Sequence, residues 1–230
     1  MKILAIETST DQASIALLLD GRLIEHPVPP RQGPAETLLP AIRGLLAEAG
    51  VGLDALDAFA FSAGPGAFTS LRLGCGVAQG LALGCGKPVI PVGSLDVLAR
   101  AAERAQVFVV ADARMGEVYC APYQMQDGQL QPLAEPVCCA PAEARLPDGE
   151  GWFGFGSGFR AYPDALLPAL GVGLAGFDPS PMPRAGTLAQ LAAEAAARGE
   201  AVDPADARLR YVRDKVAMTT AERLARGGKA

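Results

Sequence analysis

The turn Gly64-Pro65-Gly66 separates two predicted elements whose junction is suited to anion binding. The apolar run Phe59–Ser62 is too short for a helix and predicts a buried strand. A helix is predicted from about Phe68 to Leu83, and the free backbone N–H groups at its start favour anions. No Lys-Ser or Lys-Thr pair follows at the needed spacing, so the turn is not a P-loop. The residues therefore indicate an anion site without the features of a nucleoside triphosphate loop.

A second glycine-rich stretch, GVGLAG at Gly171–Gly176, matches the GxGxxG pattern of dinucleotide-binding loops. That pattern requires a helix directly after the glycines. The sequence that follows here is FDPSPMP, which cannot begin a helix. We interpret the match as accidental.

The histidine and cysteine content argues against peptidase and zinc chemistry. His26 is the single histidine, and Pro27 follows it at the end of a predicted strand. A zinc site of the HExxH kind needs two histidines at helical spacing, and a lone histidine would have to activate a nucleophile alone. The five cysteines are odd in number and include no CxxC pair. We therefore expect no metal site and no disulfide framework, and a reducing cytoplasm fits best.

Basic residues cluster near the C-terminus. The cluster comprises Arg208, Arg210, Arg213 and Lys215. It could contact RNA phosphates or the acids of a partner, but the interleaved Asp206 and Asp214 favour a solvated charged face. The net charge of −5 argues against a free-standing nucleic-acid binder.

The order of the predicted elements indicates the fold class. The chain has 230 residues, half of them hydrophobic, enough for one large or two modest domains. Three strands come first, with a hairpin signal at Asp20-Gly21, and helices then alternate with strands as far as about Arg104. This order predicts an α/β protein with a mixed sheet flanked by helices. The start shows no signal peptide, and no apolar run approaches the roughly 20 residues of a membrane span.

The pattern then begins again. Val107–Ala111 predicts a buried strand that ends at Asp112, as Ile3–Ile6 ends at Glu7. In both halves a turn, a second strand and an Asp-Gly hairpin signal follow the acid. We interpret this as an internal duplication with two related domains, residues 1–105 and 106–230.

Several boundaries are open at this point. If Thr37 is the N-cap of the first helix, Pro40 falls at a tolerated position, and if the helix starts earlier, Pro40 should kink it. Ser94 is expected to cap a later helix. Tyr162–Pro183 is rich in Pro and Gly and is expected to be irregular, while Leu209–Val216 is expected to form a final strand or helix.

The duplicated strand–acid–turn–strand units resemble those of the actin-like and sugar-kinase ATPases. The resemblance implies two facing turns that hold nucleotide phosphates, with acids serving the metal. The alternative is an inherited fold whose pocket has decayed, which we favour because the first turn lacks glycine. The candidates for such a degenerate phosphate site are Glu7, Thr8, Ser9, Thr10 and Asp112.

Small residues recur on the first two long helices. Gly76, Gly80 and Gly84 stand four residues apart, and each mid-helix glycine costs about 0.5–1 kcal/mol relative to alanine. This repetition indicates close approach of another backbone, either within one domain or from a partner subunit. The partner-interface candidates are Pro40, Gly44, Ala47, Arg72, Gly76 and Gly80.

Four stretches together resemble the TsaB (YeaZ) family, whose members take part in the synthesis of threonylcarbamoyladenosine on tRNA. The stretches are ILAIETST at Ile3–Thr10, LLPAI at Leu38–Ile42, SAGPGAFTSLRLG at Ser62–Gly74 and ADARMGEVY at Ala111–Tyr119. The third and fourth are specific to this family. The resemblance covers the first 120 residues well and the remainder loosely.

The resemblance implies two ribonuclease-H-like domains of the actin-like ATPase superfamily and no catalytic residue in this chain. It implies a non-catalytic scaffold that binds the catalytic paralogue TsaD and, through the complex, the ATPase TsaE and tRNA. It also implies a homodimer when isolated, with no cofactor and no ATP bound by this chain alone. The helix that carries the metal-binding histidines in the paralogue corresponds to Glu36–Ala49, where no histidine stands. The alternatives are an active ATP-dependent phosphotransferase and, less favoured, a peptidase.

Overall fold

The first half of the chain builds a five-stranded mixed sheet. The computed structural model describes residues 1–29 and 34–213. The first three strands form an antiparallel meander, and the next two run parallel to the first strand. The sheet order is β3-β2-β1-β4-β5. These strands are β1 (Lys2–Glu7), β2 (Ser14–Leu19), β3 (Arg22–Pro27), β4 (Ala58–Gly64) and β5 (Val89–Gly93).

The second half repeats this arrangement. Its order is β11-β10-β6-β7-β8, with β9 paired to the other end of β7. Here too a meander precedes two strands that run parallel to its first strand. The predicted mixed sheets are confirmed. The strands are β6 (Gln106–Arg114), β7 (Glu117–Gln126), β8 (Gln129–Pro132), β9 (Val137–Cys139), β10 (Trp152–Phe155) and β11 (Leu174–Asp178).

Helices cover the sheets. On the first sheet, α1 and α2 pack on one face through a stripe of buried aliphatic residues. Helix α6, from the second half of the chain, packs on the other face. Helix α3 packs on the second sheet as well as against the first. The helices are α1 (Pro34–Ala49), α2 (Phe68–Cys85), α3 (Ser94–Ala101), α4 (Gly158–Ala161), α5 (Pro163–Leu170) and α6 (Ala185–Ala197).

The last part of the chain returns to the first sheet. Helix α6 packs across β1 and β2, and its first backbone N–H, on Ala185, donates to Ser14 Oγ. After α6, Val202 pairs with Val89 of β5, and the N–H of Arg210 donates to the carbonyl of Ala63. The division of the chain at residue 105 stays a prediction, and the second half supplies a structural layer to the first sheet.

The structure decides one helix start that the sequence left open and corrects another. Helix α1 begins at Pro34, ahead of Thr37, and continues through Pro40. Proline is tolerated at a first helical position, which explains why the start lies before the polar residue. Ser94 is the first residue of α3, Gly93 occupies the N-cap position, and no side chain caps this helix.

Two predicted loop and terminal assignments are also wrong. The stretch Tyr162–Pro183 contains α5 and β11, since Pro163 stands at the start of a helix where its missing N–H costs nothing. No strand or helix forms over residues 209–213, and the rest of the predicted Leu209–Val216 element lies outside the described residues.

Gly74 fixes the distance between α2 and the turn after β1. A Cβ built on Gly74 would collide with Thr8 Oγ1, whereas one built on Gly76, half a turn along, would meet nothing within 4 Å. We expect Gly74→Ala to lower the free energy of unfolding by about 1–3 kcal/mol, the usual cost of overpacking. Gly76→Ala, the matched control, should be neutral or stabilise by up to about 1 kcal/mol through helix propensity. Urea unfolding measures both, and equal effects would contradict the packing described.

Candidate functional site

A cleft of about 650 Å³ lies between the two halves. The turn after β1, the N-terminus of α2 and the start of α3 form its first wall. The end of β6, Ser157, the end of α4 and residues 181–183 form its second wall. Residues 207–213, which we call the C-terminal strap, complete it with Arg210, Tyr211, Val212 and Arg213.

Hydrogen bonds within the protein fix the conformation of the turn after β1. The backbone N–H of Ser9 donates to Glu7 Oε1 at 2.6 Å, and that of Thr8 donates to Ser62 Oγ at 3.2 Å. Glu7 is fully buried, and this burial raises the pKa of its carboxyl group, although the hydrogen bonds from Ser9 oppose the rise. Of the predicted phosphate residues, Ser9 and Thr10 line the cleft, whereas Glu7 and Thr8 do not.

Close packing against α2 uses the backbone of the same turn. The N–H of Ala67 donates to the carbonyl of Ser9 at 2.8 Å, and a Cβ on Gly66 would collide with that carbonyl. This contact explains why Gly66 must be glycine. The turn therefore lies directly against the start of α2.

The carboxylate of Asp112, the second predicted acid, also has hydrogen-bond and ion-pair partners within the protein. Its Oδ1 accepts from the N–H of Arg114 at 2.8 Å and from the Tyr162 hydroxyl at 3.1 Å, and its Oδ2 lies 3.4 Å from the Arg114 guanidinium. Asp112 lines the cleft with three donors on its carboxylate. In the part of the chain that the structure describes, no group of His, Cys, Asp and Glu residues could hold a metal ion.

The small residues of α1 and α2 face outward. Adding a Cβ to Gly44, Gly76 or Gly80 would meet no heavy atom within 4 Å. The alternative of a tight contact within one domain is therefore wrong for these glycines. Leu39 and Leu83, which are 47% and 61% exposed, stand on the same two helices. All six interface candidates are exposed, namely Pro40, Gly44, Ala47, Arg72, Gly76 and Gly80.

Arg72 connects this surface to the C-terminal strap. Its guanidinium carbon lies 3.7 Å from the centroid of the Phe68 ring, and its Nε donates to the Tyr211 hydroxyl at 3.2 Å. The rings of Phe68 and Tyr211 are 5.4 Å apart. No sequence pattern pointed to Tyr211, because 139 residues separate it from its hydrogen-bond partner.

The basic cluster divides into residues with different surroundings. Arg213 is largely buried and pairs with Glu117 at 2.6 Å, while donating to the carbonyls of Ala113 and Arg114. Arg208 is exposed and lies 3.7 Å from Asp206, as the solvated-face interpretation expects. Arg210 lines the cleft. Lys215 and Asp214 lie outside the described residues.

His26 forms a surface ion pair and is not arranged as the base of a nucleophile. It is on β3, and its Nε2 pairs with Glu48 of α1 at 2.8 Å on the surface. The five cysteines are free thiols. No helix within residues 1–29 and 34–213 is long and apolar enough to cross a membrane.

Two mixed sheets of one strand order, with a cleft between them, define a protein of the ribonuclease-H-like, actin-like class. Residues 30–152 match the family model of TsaD, tRNA N6-adenosine threonylcarbamoyltransferase. The chain is 35% identical to the tRNA threonylcarbamoyladenosine biosynthesis protein TsaB of Escherichia coli (strain K12), over 94% of this chain and 96% of that protein. The chain belongs to the TsaB family, as the sequence motifs predicted.

Solved structures agree with this assignment. YeaZ from Pseudomonas aeruginosa superposes with a TM-score of 0.83 and 40% identity, covering 91% of this chain and 99% of that one. By sequence alone, a tRNA N6-adenosine threonylcarbamoyltransferase of Nitratidesulfovibrio vulgaris (strain DP4) is 39% identical, over 47% of this chain and 35% of that enzyme. The ribonuclease-H-like fold is thereby confirmed.

Glu7 should make stability depend on pH. Because its pKa is raised above the ordinary value of 4.5, the native state retains a proton that the unfolded state loses. The corresponding stability is present below that value and is lost as the pH rises through the native pKa. We expect Glu7→Gln, which is neutral at every pH and keeps the oxygen that accepts from Ser9, to gain stability relative to wild type between about pH 5 and pH 8. Urea unfolding across this range checks it, and a pH-independent difference would contradict it.

Arg213 should hold the C-terminal strap in place. Arg213→Ala leaves Glu117 and two backbone carbonyls without their donor, so we expect a loss of about 1–3 kcal/mol in unfolding free energy. Hydrogen exchange of residues 209–213 should also become faster. Arg208→Ala is the control on the exposed part of the strap. It removes hydrogen bonds to the carbonyls of Ala205 and Ala207, but its ion pair with Asp206 is solvated, so we expect a clearly smaller change in both quantities. Equal effects of the two variants would refute the anchoring role.

Proposed function

We propose that this chain is a non-catalytic scaffold that binds a TsaD-type threonylcarbamoyltransferase through the outer face of α1 and α2. Its family membership supports a role in the biosynthesis of threonylcarbamoyladenosine on tRNA. The observation that carries the proposal is the exposed small-residue face of the two helices, whose glycines have open space above them.

We propose that the chain has no catalytic activity because of the state of the acids at the turns after β1 and β6. The carboxylate of Asp112 is occupied by Arg114 and Tyr162, and Glu7 is buried beneath the cleft. A magnesium-bound triphosphate needs carboxylates that are free to face the metal. We therefore propose that the chain alone binds no ATP. The alternative, an ATP-dependent phosphotransferase, predicts micromolar ATP binding with turnover, which isothermal titration with ATP and Mg²⁺ would detect.

The small residues exposed on α1 and α2 favour a helical partner. Helix axes usually pack 8–10 Å apart, and small residues at the contact permit a closer approach. Small side chains also lose little rotamer entropy on binding. Two helices from each subunit would form a four-helix contact, flanked by the exposed Leu39 and Leu83. We propose this contact for the heterodimer and for a homodimer of the isolated chain, with a TsaE-type ATPase and tRNA joining through the complex.

A single substitution tests the interface. We expect Gly80→Leu to keep the melting temperature of the monomer, since its Cβ meets open space, but to weaken association with the transferase at least tenfold. The overpacked contact alone accounts for the loss. Analytical ultracentrifugation and calorimetry with the purified TsaD-type partner measure the two properties separately.

The control is Ala142→Leu, which adds a similar side chain at an exposed position of the second half. It should affect neither the melting temperature nor association. If Gly80→Leu binds the partner as wild type does, the outer face of α2 is not the interface.

A further inference from the structure

Two cysteine side chains meet on the second sheet, away from the cleft. Cys120 lies on β7 and Cys139 on β9, and their sulfur atoms are 3.9 Å apart. In the antiparallel pairing of these strands, Cys139 is opposite Val118, two residues before Cys120. The two cysteines are therefore diagonal neighbours on one face of the sheet. Removal of two protons and two electrons would join them covalently.

The gap between the two sulfur atoms is small enough to close. A disulfide bond is about 2.05 Å long, so the sulfur atoms must approach each other by roughly 2 Å. Diagonal positions lie near the upper limit of the separation that a disulfide spans, so β9 has to move slightly as the side chains rotate. This strand has three residues, pairs with β7 alone within the described residues, and carries the half-exposed Val137. A short strand with so few contacts shifts at low cost.

Cys139 is the accessible member of the pair. It is partly exposed, whereas Cys120 is only 2% exposed, so a dissolved oxidant meets Cys139 first. Burial is the main reason that the pKa of each thiol is raised, which leaves few thiolates at neutral pH and makes thiol–disulfide exchange slow. The pair is therefore suited to respond to sustained oxidation and not to a brief pulse of oxidant.

Cys138, next to this pair, connects β9 to the C-terminal strap. Its thiol donates to Glu117 Oε2 at 3.6 Å, and the same oxygen lies 2.6 Å from the Arg213 guanidinium that anchors the strap. Cys138 packs in the cluster that includes Val212 of the strap, whereas Cys139 packs in the cluster on the other face of the sheet. A bond that fixes β9 therefore also fixes a neighbour of the strap's anchor.

We propose that Cys120 and Cys139 form a reversible disulfide when a low-molecular-weight disulfide such as oxidised glutathione accumulates, and that this bond stiffens β9 and the C-terminal strap. The Cys139 thiolate attacks one sulfur of the small disulfide, which forms a mixed disulfide and releases one glutathione thiolate. The Cys120 thiolate then attacks Cys139 Sγ, and the second glutathione thiolate leaves. The two cysteine protons end on the two glutathiones, which also take up the two electrons that the cysteines lose. Excess reduced glutathione reverses both steps.

The bond is tested by incubating the full chain with oxidised glutathione and mapping its disulfides. The remaining free thiols are alkylated under denaturing conditions, and the chain is digested with a protease that cleaves before aspartate. Cleavage before Asp127 separates Cys120 from Cys138 and Cys139. We expect mass spectrometry to find the two peptides joined, whereas a bond between the adjacent Cys138 and Cys139 would leave the peptides separate.

Two serine variants identify the partner of Cys120. Cys139→Ser should abolish the joined peptides, whereas Cys138→Ser, the matched control at the adjacent position, should leave their yield unchanged. In the wild type the oxidised chain should melt about 5 °C above the reduced chain, because the bond closes a loop between residues 19 positions apart. Hydrogen exchange of residues 209–213 should become severalfold slower, and dithiothreitol should reverse both changes.

Four results would overturn the proposal. The wild type could yield no joined peptides, or Cys138→Ser could abolish them as Cys139→Ser does. The joined peptides could come only from a covalent dimer, which a non-reducing gel distinguishes from the monomer. Oxidation could also leave the melting temperature and the exchange of the strap unchanged. None of these results depends on association with the transferase, so this proposal and the proposed function fail independently.

Discussion

The contact between the turn after β1 and the start of α2 determines much of this structure. The carbonyl of Ser9 accepts from Ala67 and leaves no room for a side chain on Gly66, and Thr8 leaves none on Gly74. These contacts fix α2 along its inner side. They also bring Ser9 to the N-terminus of α2, and they direct Gly76 and Gly80 outward. The inner face of α2 packs on the fold and lines the cleft, whereas its outer face is exposed and available for association.

The C-terminal strap depends on the same helix. Arg210 binds the backbone of Ala63 just before α2, and Tyr211 contacts Phe68 and Arg72 on its first two turns. At its other end Arg213 is held by the second half through Glu117. The strap thus joins the two halves across the cleft and touches the edge of the proposed partner surface.

Local patterns predicted the elements, and distant contacts defined the site. The acids after two buried strands and the Asp-Gly hairpins were sufficient to predict the duplicated mixed sheets. The sequence left the start of the first helix open, because proline at a first helical position, here Pro34, looks like a loop residue. Helix α5 was missed for the same reason at Pro163. The glycine spacing predicted close packing, but the exposure of Gly80 depends on how α2 lies on the sheet, which spacing alone does not determine.

The packing of α6 on the first sheet affects how the chain folds while it is being synthesised. The face of that sheet formed by Ile3, Ala5 and Ala16 is covered by Leu188, Ala189 and Ala192 of α6. A ribosome that has made the first 105 residues has therefore made a five-stranded sheet of which one apolar face is covered by α3 but not by α6. The second half must emerge before that face is fully covered, so the contacts that complete the sheet span nearly 190 positions of sequence. Such long closures are slow, and the nascent chain is exposed to aggregation until α6 arrives.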